Sequence, residues 1–125
     1  MSSLKVLIID DEPDIRSLVE MILEGAGHQV IEAGDGREGL EKLESERPDV
    51  VLLDLRMPVI DGWEFMRRAR EADLIKSTRV IGVSAHASPD SIKEAKEAGC
   101  HGYVSKPFAM DDLVTEVANQ ADPSP

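Results

Sequence analysis

Short apolar segments alternate with amphipathic segments along this chain, and the alternation predicts its secondary structure. Five apolar segments have the length of β-strands. They are LKVLII (4–9), HQVIEA (28–33), VVLL (50–53), VIGVS (80–84) and GYVS (102–105). We therefore predict five strands, with helices in the segments between and after them.

Helical periodicity is clearest after the first strand. Apolar residues recur there at intervals of three and four positions from Ile15 to Leu23, which indicates one buried helix face. Pro13 stands near the beginning of this segment, and Gly25 and Gly27 stand after its end, as is typical of helix termini. Further helices are predicted over 36–45, 61–72, 89–98 and 110–120. The predicted order is therefore (βα)5.

Alternating strands and helices require crossover connections, so the sheet is predicted to be parallel. The continuous apolar character of strands 1, 3 and 4 indicates helices on both faces, whereas the alternating polar residues of strand 2 suit an edge. The predicted fold class is α/β: a doubly wound, flavodoxin-like three-layer sandwich with a five-stranded parallel sheet of order 2-1-3-4-5. In this order, ligands bind outside the carboxyl ends of strands 1 and 3.

Composition and charge exclude several classes of function. The chain has 125 residues, of which 42% are hydrophobic, enough for one domain with its own core. The formal net charge is −11 and the basic residues are scattered, which argues against binding to nucleic acid or to acidic membranes. Cys100 is the single cysteine, and neither a leader nor an apolar run of membrane-span length is evident. We expect a cytoplasmic protein that is a monomer or a weak dimer.

Carboxylates cluster where strands 1 and 3 end. Asp10 and Asp11 follow the first strand directly, and Asp54 follows VVLL in the third. Because these strand ends meet at the topological switch, the three carboxylates are expected around one crevice. Such a cluster of like charges disfavours folding unless something positive occupies it. Hard oxygen ligands with room for water suit Mg²⁺, which is the expected cofactor.

Two further polar residues are predicted at the same edge of the sheet. Ser84 ends strand 4, and Lys106 follows strand 5. A metal ion, an ammonium group, a hydroxyl and a central carboxylate together describe a site for phosphoryl chemistry. Asp54 is the best candidate for a nucleophile that forms an aspartyl phosphate, while Mg²⁺ and Lys106 neutralise the transferring group.

The segments IIDDEP, VVLLDLRMPVIDG, VSA and YVSKPF, in this order and at this spacing, resemble the receiver domain of two-component response regulators. The resemblance covers nearly the whole chain. We expect a receiver domain over 1–121 and a tail or the start of a linker over 122–125, where the composition changes. The resemblance implies that Asp54 accepts a phosphoryl group from a sensor histidine kinase or a histidine phosphotransfer protein. The output partner stays unknown, and the only expected catalysis is of the domain's own phosphorylation and dephosphorylation.

The resemblance also implies how the metal is held. Asp11 and Asp54 would bind Mg²⁺ directly, together with the backbone carbonyl of Arg56. Asp10 would act mainly through water. A cis peptide bond between Lys106 and the proline after it is implied as well, since only X–Pro bonds adopt the cis form at low cost.

The remaining residues implied by the resemblance concern the phosphoryl group and the response to it. Ser84 and Lys106 would contact phosphoryl oxygens, and Tyr103 would be an aromatic switch that turns inward as Ser84 moves toward the phosphate. Arg56 and His86 would flank the path of the water that hydrolyses the aspartyl phosphate. Because arginine is always cationic, Arg56 is expected to shield the phosphate rather than to activate water.

Two other functions are compatible with parts of the pattern. A small Mg²⁺-dependent phosphatase or phosphotransferase acting on metabolites would use the same carboxylates, but it needs a further acid or base or a cap over the substrate. A dinucleotide-binding domain is suggested by GDGREG (34–39), which matches G-x-G-x-x-G after a strand. That alternative is disfavoured because Asp35 would face the pyrophosphate charge.

Overall fold

A computed structural model of the chain describes residues 3–57, 60–85 and 88–121. Strands and helices alternate throughout, which confirms the (βα)5 prediction. The strands are β1 Lys5–Ile9, β2 Gln29–Ala33, β3 Val50–Asp54, β4 Arg79–Ser84 and β5 Gly102–Ser105. The helices are α1 Pro13–Gly25, α2 Gly36–Glu46, α3 Gly62–Glu71, α4 Pro89–Glu97 and α5 Met110–Ala121.

The five strands form one parallel sheet of order β2-β1-β3-β4-β5, as predicted. Val6 of β1 pairs with Val30 of β2 on one side and with Val50 of β3 on the other. The half-polar β2 lies at an edge, and the fully buried β3 lies at the centre. The topological switch therefore lies between β1 and β3, whose carboxyl ends are adjacent.

Helices cover both faces of the sheet and bury two apolar cores. On one face, α1 and α5 pack through Val19, Ile22, Leu23, Leu113 and Val117. On the other face, α2, α3 and α4 pack through Leu43, Phe65, Met66, Ala69 and Ala95. The fold is thus the three-layer sandwich that the sequence predicted, and its rigid sheet positions the loops at the carboxyl edge.

The GDGREG segment has a structural role at the start of α2. Asp35 caps the helix by accepting a hydrogen bond from the backbone N–H of Glu38 at 2.8 Å. The Glu38 side chain accepts one from the backbone N–H of Gly34 at 2.7 Å in return. A Cβ atom on Gly39 would lie 2.6 Å from Cδ1 of Ile9 and 3.0 Å from its Cγ1, so the buried Ile9 side chain would have to shift to admit any other residue. Capping and packing account for this motif without a nucleotide.

Two other predictions concern the end of the chain. The Lys106–Pro107 peptide bond is cis, as the sequence predicted. Residues 122–125 lie outside the described residues, so the boundary of the domain and the tail stays a prediction.

None of the described helices has the length and apolar character needed to cross a lipid bilayer.

Candidate functional site

Buried polar side chains gather at the carboxyl edge of the sheet. Asp10 follows β1, Asp54 ends β3 and Ser84 ends β4, and these residues are only 1%, 4% and 3% exposed. Thr78, the other buried polar residue in the described part of the chain, lies elsewhere and donates a hydrogen bond to the carbonyl of Pro48 at 2.9 Å. Because burial of charged groups is costly, two buried aspartates at one edge indicate a functional site.

Lys106 extends across the strand ends to these carboxylates. Its Nζ lies 2.9 Å from Oδ2 of Asp10 and 3.4 Å from Oδ2 of Asp54, with the exposed Glu12 carboxylate 3.7 Å away. Its backbone N–H donates to the carbonyl of Ser84 at 2.8 Å, which ties the start of the β5–α5 loop to β4. The structure therefore brings together four of the five residues that the sequence placed at this edge, Asp10, Asp54, Ser84 and Lys106, and the fifth, Asp11, lies beside Asp10.

The environment shifts the pKa values of the central pair. Burial raises the pKa of Asp54, and the nearby charge of Asp10 adds to the rise. The hydrogen bond from the Arg56 N–H and the charge of Lys106 lower this pKa, but the net shift is upward. Burial acts to lower the pKa of Lys106, but its hydrogen bond to Asp10 and the charges of Asp54 and Asp10 outweigh it, so the net shift is upward. Lys106 is thus held as a cation between two carboxylates.

Backbone N–H groups orient both buried carboxylates. Oδ1 of Asp54 accepts a hydrogen bond from the backbone N–H of Arg56 at 2.9 Å. Oδ1 of Asp10 accepts one from the backbone N–H of Glu12, also at 2.9 Å. In each case the second oxygen, Oδ2, is the one that faces Lys106. One oxygen of Asp54 is therefore fixed by the loop while the other is directed into the crevice.

An acidic group suited to a cation lies beside this pair. Carboxylate oxygens of Asp10, Asp11 and Glu12 all lie within 4.8 Å of one another. Glu12 is an addition to the predicted ligands, whereas Asp54 is not part of this group and lies 3.4 Å from Nζ of Lys106. The DDE run was the available signal for Glu12. Hard carboxylate oxygens around an open crevice are the donor set that Mg²⁺ prefers, so the residues present fit this ion.

The predicted switch residues lie on neighbouring strands. Ser84 pairs with Ser105, and Gly82 pairs with Tyr103, in the register of β4 and β5. Because side chains two positions apart share one face of a sheet, Ser84 and Tyr103 point to the same face. Tyr103 is half-buried there and packs against the core under α3 and α4. Arg56 is exposed beside the site, and His86 lies outside the described residues.

The other histidines and the cysteine have structural roles in the described part of the chain. His28 Nδ1 accepts a hydrogen bond from the backbone N–H of Leu4 at 3.1 Å, and His101 Nδ1 accepts one from that of Val80 at 2.9 Å. Burial raises the pKa of the Cys100 thiol to about 11, which makes it a poor nucleophile. None of the three contributes to the site.

Comparison with known proteins agrees with this geometry. A family profile described as "Response regulator receiver domain" matches residues 6–118. Sporulation initiation phosphotransferase F of Bacillus subtilis is 37% identical over 113 residues, which are 90% of this chain and 90% of that protein. The solved structure of the chemotaxis response regulator CheY4 of Vibrio cholerae has a TM-score of 0.89 at 35% identity, covering 95% of this chain and 99% of that one.

Many of the curated relatives are longer proteins. Transcriptional regulatory protein TrcR of Mycobacterium tuberculosis is 36% identical over 116 residues, which are 93% of this chain but 44% of that protein. The chain thus spans less than half of such relatives, and it matches the shorter ones nearly end to end. The similarity therefore concerns the domain described here and not the other parts of those proteins.

Proposed function

The chain belongs to the response regulator receiver domain family, and we propose that Asp54 accepts a phosphoryl group from a phosphohistidine of a sensor kinase or a histidine phosphotransfer protein. Receiver domains are signalling modules of two-component systems. The observation that carries the proposal is the position of Asp54. Its carboxylate is buried at the end of the central strand, and one of its oxygens faces the Lys106 ammonium at 3.4 Å.

In the transfer, an Asp54 oxygen forms a bond to phosphorus while the bond between phosphorus and the donor imidazole nitrogen breaks. The bonding electron pair leaves with the imidazole, which takes up a proton to become neutral. The backbone N–H of Arg56 and the ammonium of Lys106 hold the Asp54 carboxylate in a fixed orientation for this attack. Lys106 can move from Asp54 to the incoming phosphoryl oxygens, and its hydrogen bond to Asp10 keeps it in reach.

We propose that Asp11, Asp54 and the backbone carbonyl of Arg56 bind Mg²⁺ directly, and that Asp10 acts through water. Glu12 is a further candidate ligand. The bound ion would neutralise negative charge on the transferring phosphoryl group. The carboxylate of Asp11 is exposed and forms no hydrogen bond or ion pair with the described residues, so it is available as a ligand. The arrangement of Asp10 and Asp11 at the end of one strand supports this assignment.

The response to phosphorylation is assigned to Ser84 and Tyr103. Ser84 follows Val83, which pairs with Asp54 in the register of β3 and β4, so a short movement would bring its hydroxyl to a phosphoryl group on Asp54. Tyr103 shares its face of the sheet and is half-buried, which leaves room for a more buried orientation. This movement would change the surface of β5 and α4 and thereby alter binding of an output partner.

The protein donor is proposed to contact an apolar surface on α1 and α5. The exposed large apolar side chains of the described residues all lie there: Leu18, Met21 and Met110 are 38%, 66% and 60% exposed. Met21 and Met110 line one open groove together with Asp111, and Glu24 follows one turn after Met21. An apolar helix surface edged with basic residues would complement this groove. On α1 the groove is lined by the C-terminal half of the helix, whose first residue follows Glu12.

Intact mass spectrometry tests the proposed reaction. The protein is incubated with Mg²⁺ and phosphoramidate, a small phosphodonor, and we expect a mass gain of one phosphoryl group. Asp54→Asn keeps the shape of the side chain but removes its nucleophilicity, so it should show no gain. Asp61→Asn, at the exposed cap of α3, is the matched control and should be phosphorylated like the parent. An equal mass gain in Asp54→Asn would refute the assignment.

A parallel incubation with Mg²⁺ and sugar phosphates separates this proposal from a phosphatase acting on metabolites. Sustained release of phosphate from sugar phosphates, without a phosphorylated protein species, would favour the phosphatase. Cytoplasmic location and a monomeric or weakly dimeric state stay predictions.

A further inference from the structure

Arg16, at the end of the first turn of α1, connects the acidic site to the edge strand of the sheet. Its Nη1 donates a hydrogen bond to the backbone carbonyl of Asp10 at 2.6 Å. Its Nε donates one to Oε1 of Glu32 in β2 at 3.1 Å. The Arg16 side chain is 19% exposed and that of Glu32 is 37% exposed, so this pair is partly shielded from water. The guanidinium therefore contacts the backbone of the acidic loop and not its carboxylates.

The contact determines the orientation of one peptide plane. The carbonyl of Asp10 and the N–H of Asp11 belong to the same planar unit, so fixing one fixes the other. The N–H of Asp10 is already held by the carbonyl of Ala33 at 3.1 Å. With Arg16 on its carbonyl, the backbone of Asp10 is hydrogen-bonded on both sides. The direction in which the chain continues into Asp11 follows from these two hydrogen bonds.

Asp11 has no comparable restraint of its own. Its carboxylate is exposed and forms no hydrogen bond or ion pair in the described part of the chain. The loop between β1 and α1 consists of Asp10, Asp11 and Glu12 only. We infer that Arg16 is a positioning residue for the cation site: it holds the Asp10–Asp11 peptide so that the Asp11 carboxylate is directed at the bound Mg²⁺. The inference rests on the proposed Mg²⁺-dependent phosphorylation.

The planar guanidinium suits this role better than an ammonium group. Arg16 donates to a carbonyl and a carboxylate at the same time from two different nitrogens. Lysine keeps the charge but is a compact donor on a flexible stem, and it cannot reproduce this pair of directed contacts. Arg16→Lys therefore separates geometry from charge. Arg47→Lys is the matched control. Arg47 is an exposed arginine at the C-terminal end of α2, near the amino end of β3 and therefore away from the carboxyl ends of the strands, where the site lies.

The decisive measurement is Mg²⁺ binding by isothermal titration calorimetry, without a phosphodonor. Loss of a residue that orients a metal ligand commonly weakens binding by about 10- to 100-fold. For Arg16→Lys we expect a Mg²⁺ dissociation constant about tenfold above that of the parent, and no change for Arg47→Lys. The initial rate of phosphorylation by phosphoramidate should need correspondingly more Mg²⁺ and return to the parent rate at saturation. A merely structural role would lower the unfolding free energy without Mg²⁺ and leave the dissociation constant unchanged.

An unchanged dissociation constant in Arg16→Lys would overturn the inference, as would a rate that stays low at saturating Mg²⁺. If Arg16→Lys does not fold, Glu32→Ala decides: it removes one of the two contacts of Arg16 and should also weaken Mg²⁺ binding. Parent-like binding in Glu32→Ala would then overturn it. Failure of the proposed function has a different signature, because the parent itself would then show no Mg²⁺-dependent mass gain at Asp54.

Discussion

The ammonium of Lys106 and the carboxylate of Asp54 lie 3.4 Å apart, although 52 positions separate them in the chain. Lys106 is closer to Asp10, at 2.9 Å, so one cation serves two buried carboxylates. Negative charge therefore exceeds positive charge at the site. Burial is the main reason why the pKa of Asp54 is raised even though a cation lies beside it, and the charge of Asp10 adds to the rise.

We predict that Asp54→Asn increases the stability of the protein at neutral pH. Because the folded pKa is raised, the unfolded chain releases this proton more easily, and the folded state loses stability as the pH rises through the shifted interval. Each pKa unit of such a shift corresponds to about 1.4 kcal/mol. Urea unfolding of parent and variant at pH 7, without Mg²⁺, measures the difference. A less stable variant would contradict the electrostatic account.

Addition of Mg²⁺ is predicted to raise the melting temperature of the parent protein. An ion that binds only the folded state stabilises it by about 2.7 kcal/mol at a hundred times its dissociation constant. Differential scanning calorimetry of Asp11→Ala should show this shift reduced or absent. Glu44→Ala, which removes the same charge at an exposed position on α2, is the control and should keep the full shift. If Mg²⁺ raises the melting temperature of Asp11→Ala as much as that of the parent, Asp11 is not a ligand of the ion.

Acid is predicted to weaken the attachment of β5 to β4 through His101. The neutral imidazole accepts a hydrogen bond from the backbone N–H of Val80, and burial followed by the charge of Arg79 lowers the pKa of His101. As the pH falls, the imidazole of His101 is protonated at a higher pH in the unfolded chain than in the folded protein. The contribution of this residue to the free energy of unfolding is therefore fully present above about pH 6.5 and decreases as the pH falls below it.

Urea unfolding between pH 5 and pH 8 measures this effect. His101→Gln removes the titrating group, so its stability should depend less on pH over this interval than that of the parent. If the two proteins show the same pH dependence, the loss of stability in acid has another source.

The apolar groove on α1 and α5 is predicted to matter for a protein donor and not for a small one. Met21→Asp adds a negative charge to a groove that already contains Asp111. Phosphotransfer from a phosphorylated histidine phosphotransfer protein that serves the parent should become slower by at least tenfold, about 1.4 kcal/mol. The rate with phosphoramidate should stay unchanged. A parent-like rate with the protein donor would place the docking surface elsewhere.

Arg56 is predicted to prolong the phosphorylated state by covering the approach of water to the Asp54 phosphate. Its side chain is exposed beside the site and cannot accept a proton. After removal of the donor at constant Mg²⁺, the phosphorylated protein should decay faster in Arg56→Asn than in the parent. His86→Glu is expected to act in the same direction. Decay no faster than that of the parent in both variants would mean that neither residue shields the phosphate.

The periodic pattern of the sequence was sufficient to predict the order of the elements. Each predicted strand, and each helix predicted by range, begins and ends within one residue of its observed bounds. Side-chain period and capping residues are local properties, so Pro13 and Asp35 mark helix starts wherever the helix later packs. Parallel strands also bring their carboxyl ends to one edge, which is why Asp10, Asp54 and Lys106 were predictable neighbours.

The sequence by itself thus determined which residues reach the site, while the tertiary structure decided how they divide its tasks. Lys106 lies closer to Asp10 than to Asp54. This difference depends on the relative positions of the ends of strands that are far apart in the chain. The sequence likewise does not predict the contact of Arg16 with the Asp10 carbonyl. A helix arginine is indistinguishable from an exposed one until the position of β2 next to it is known. Local periodicity carries no information about such distances and directions, since they arise only when the sheet and both helix layers pack together.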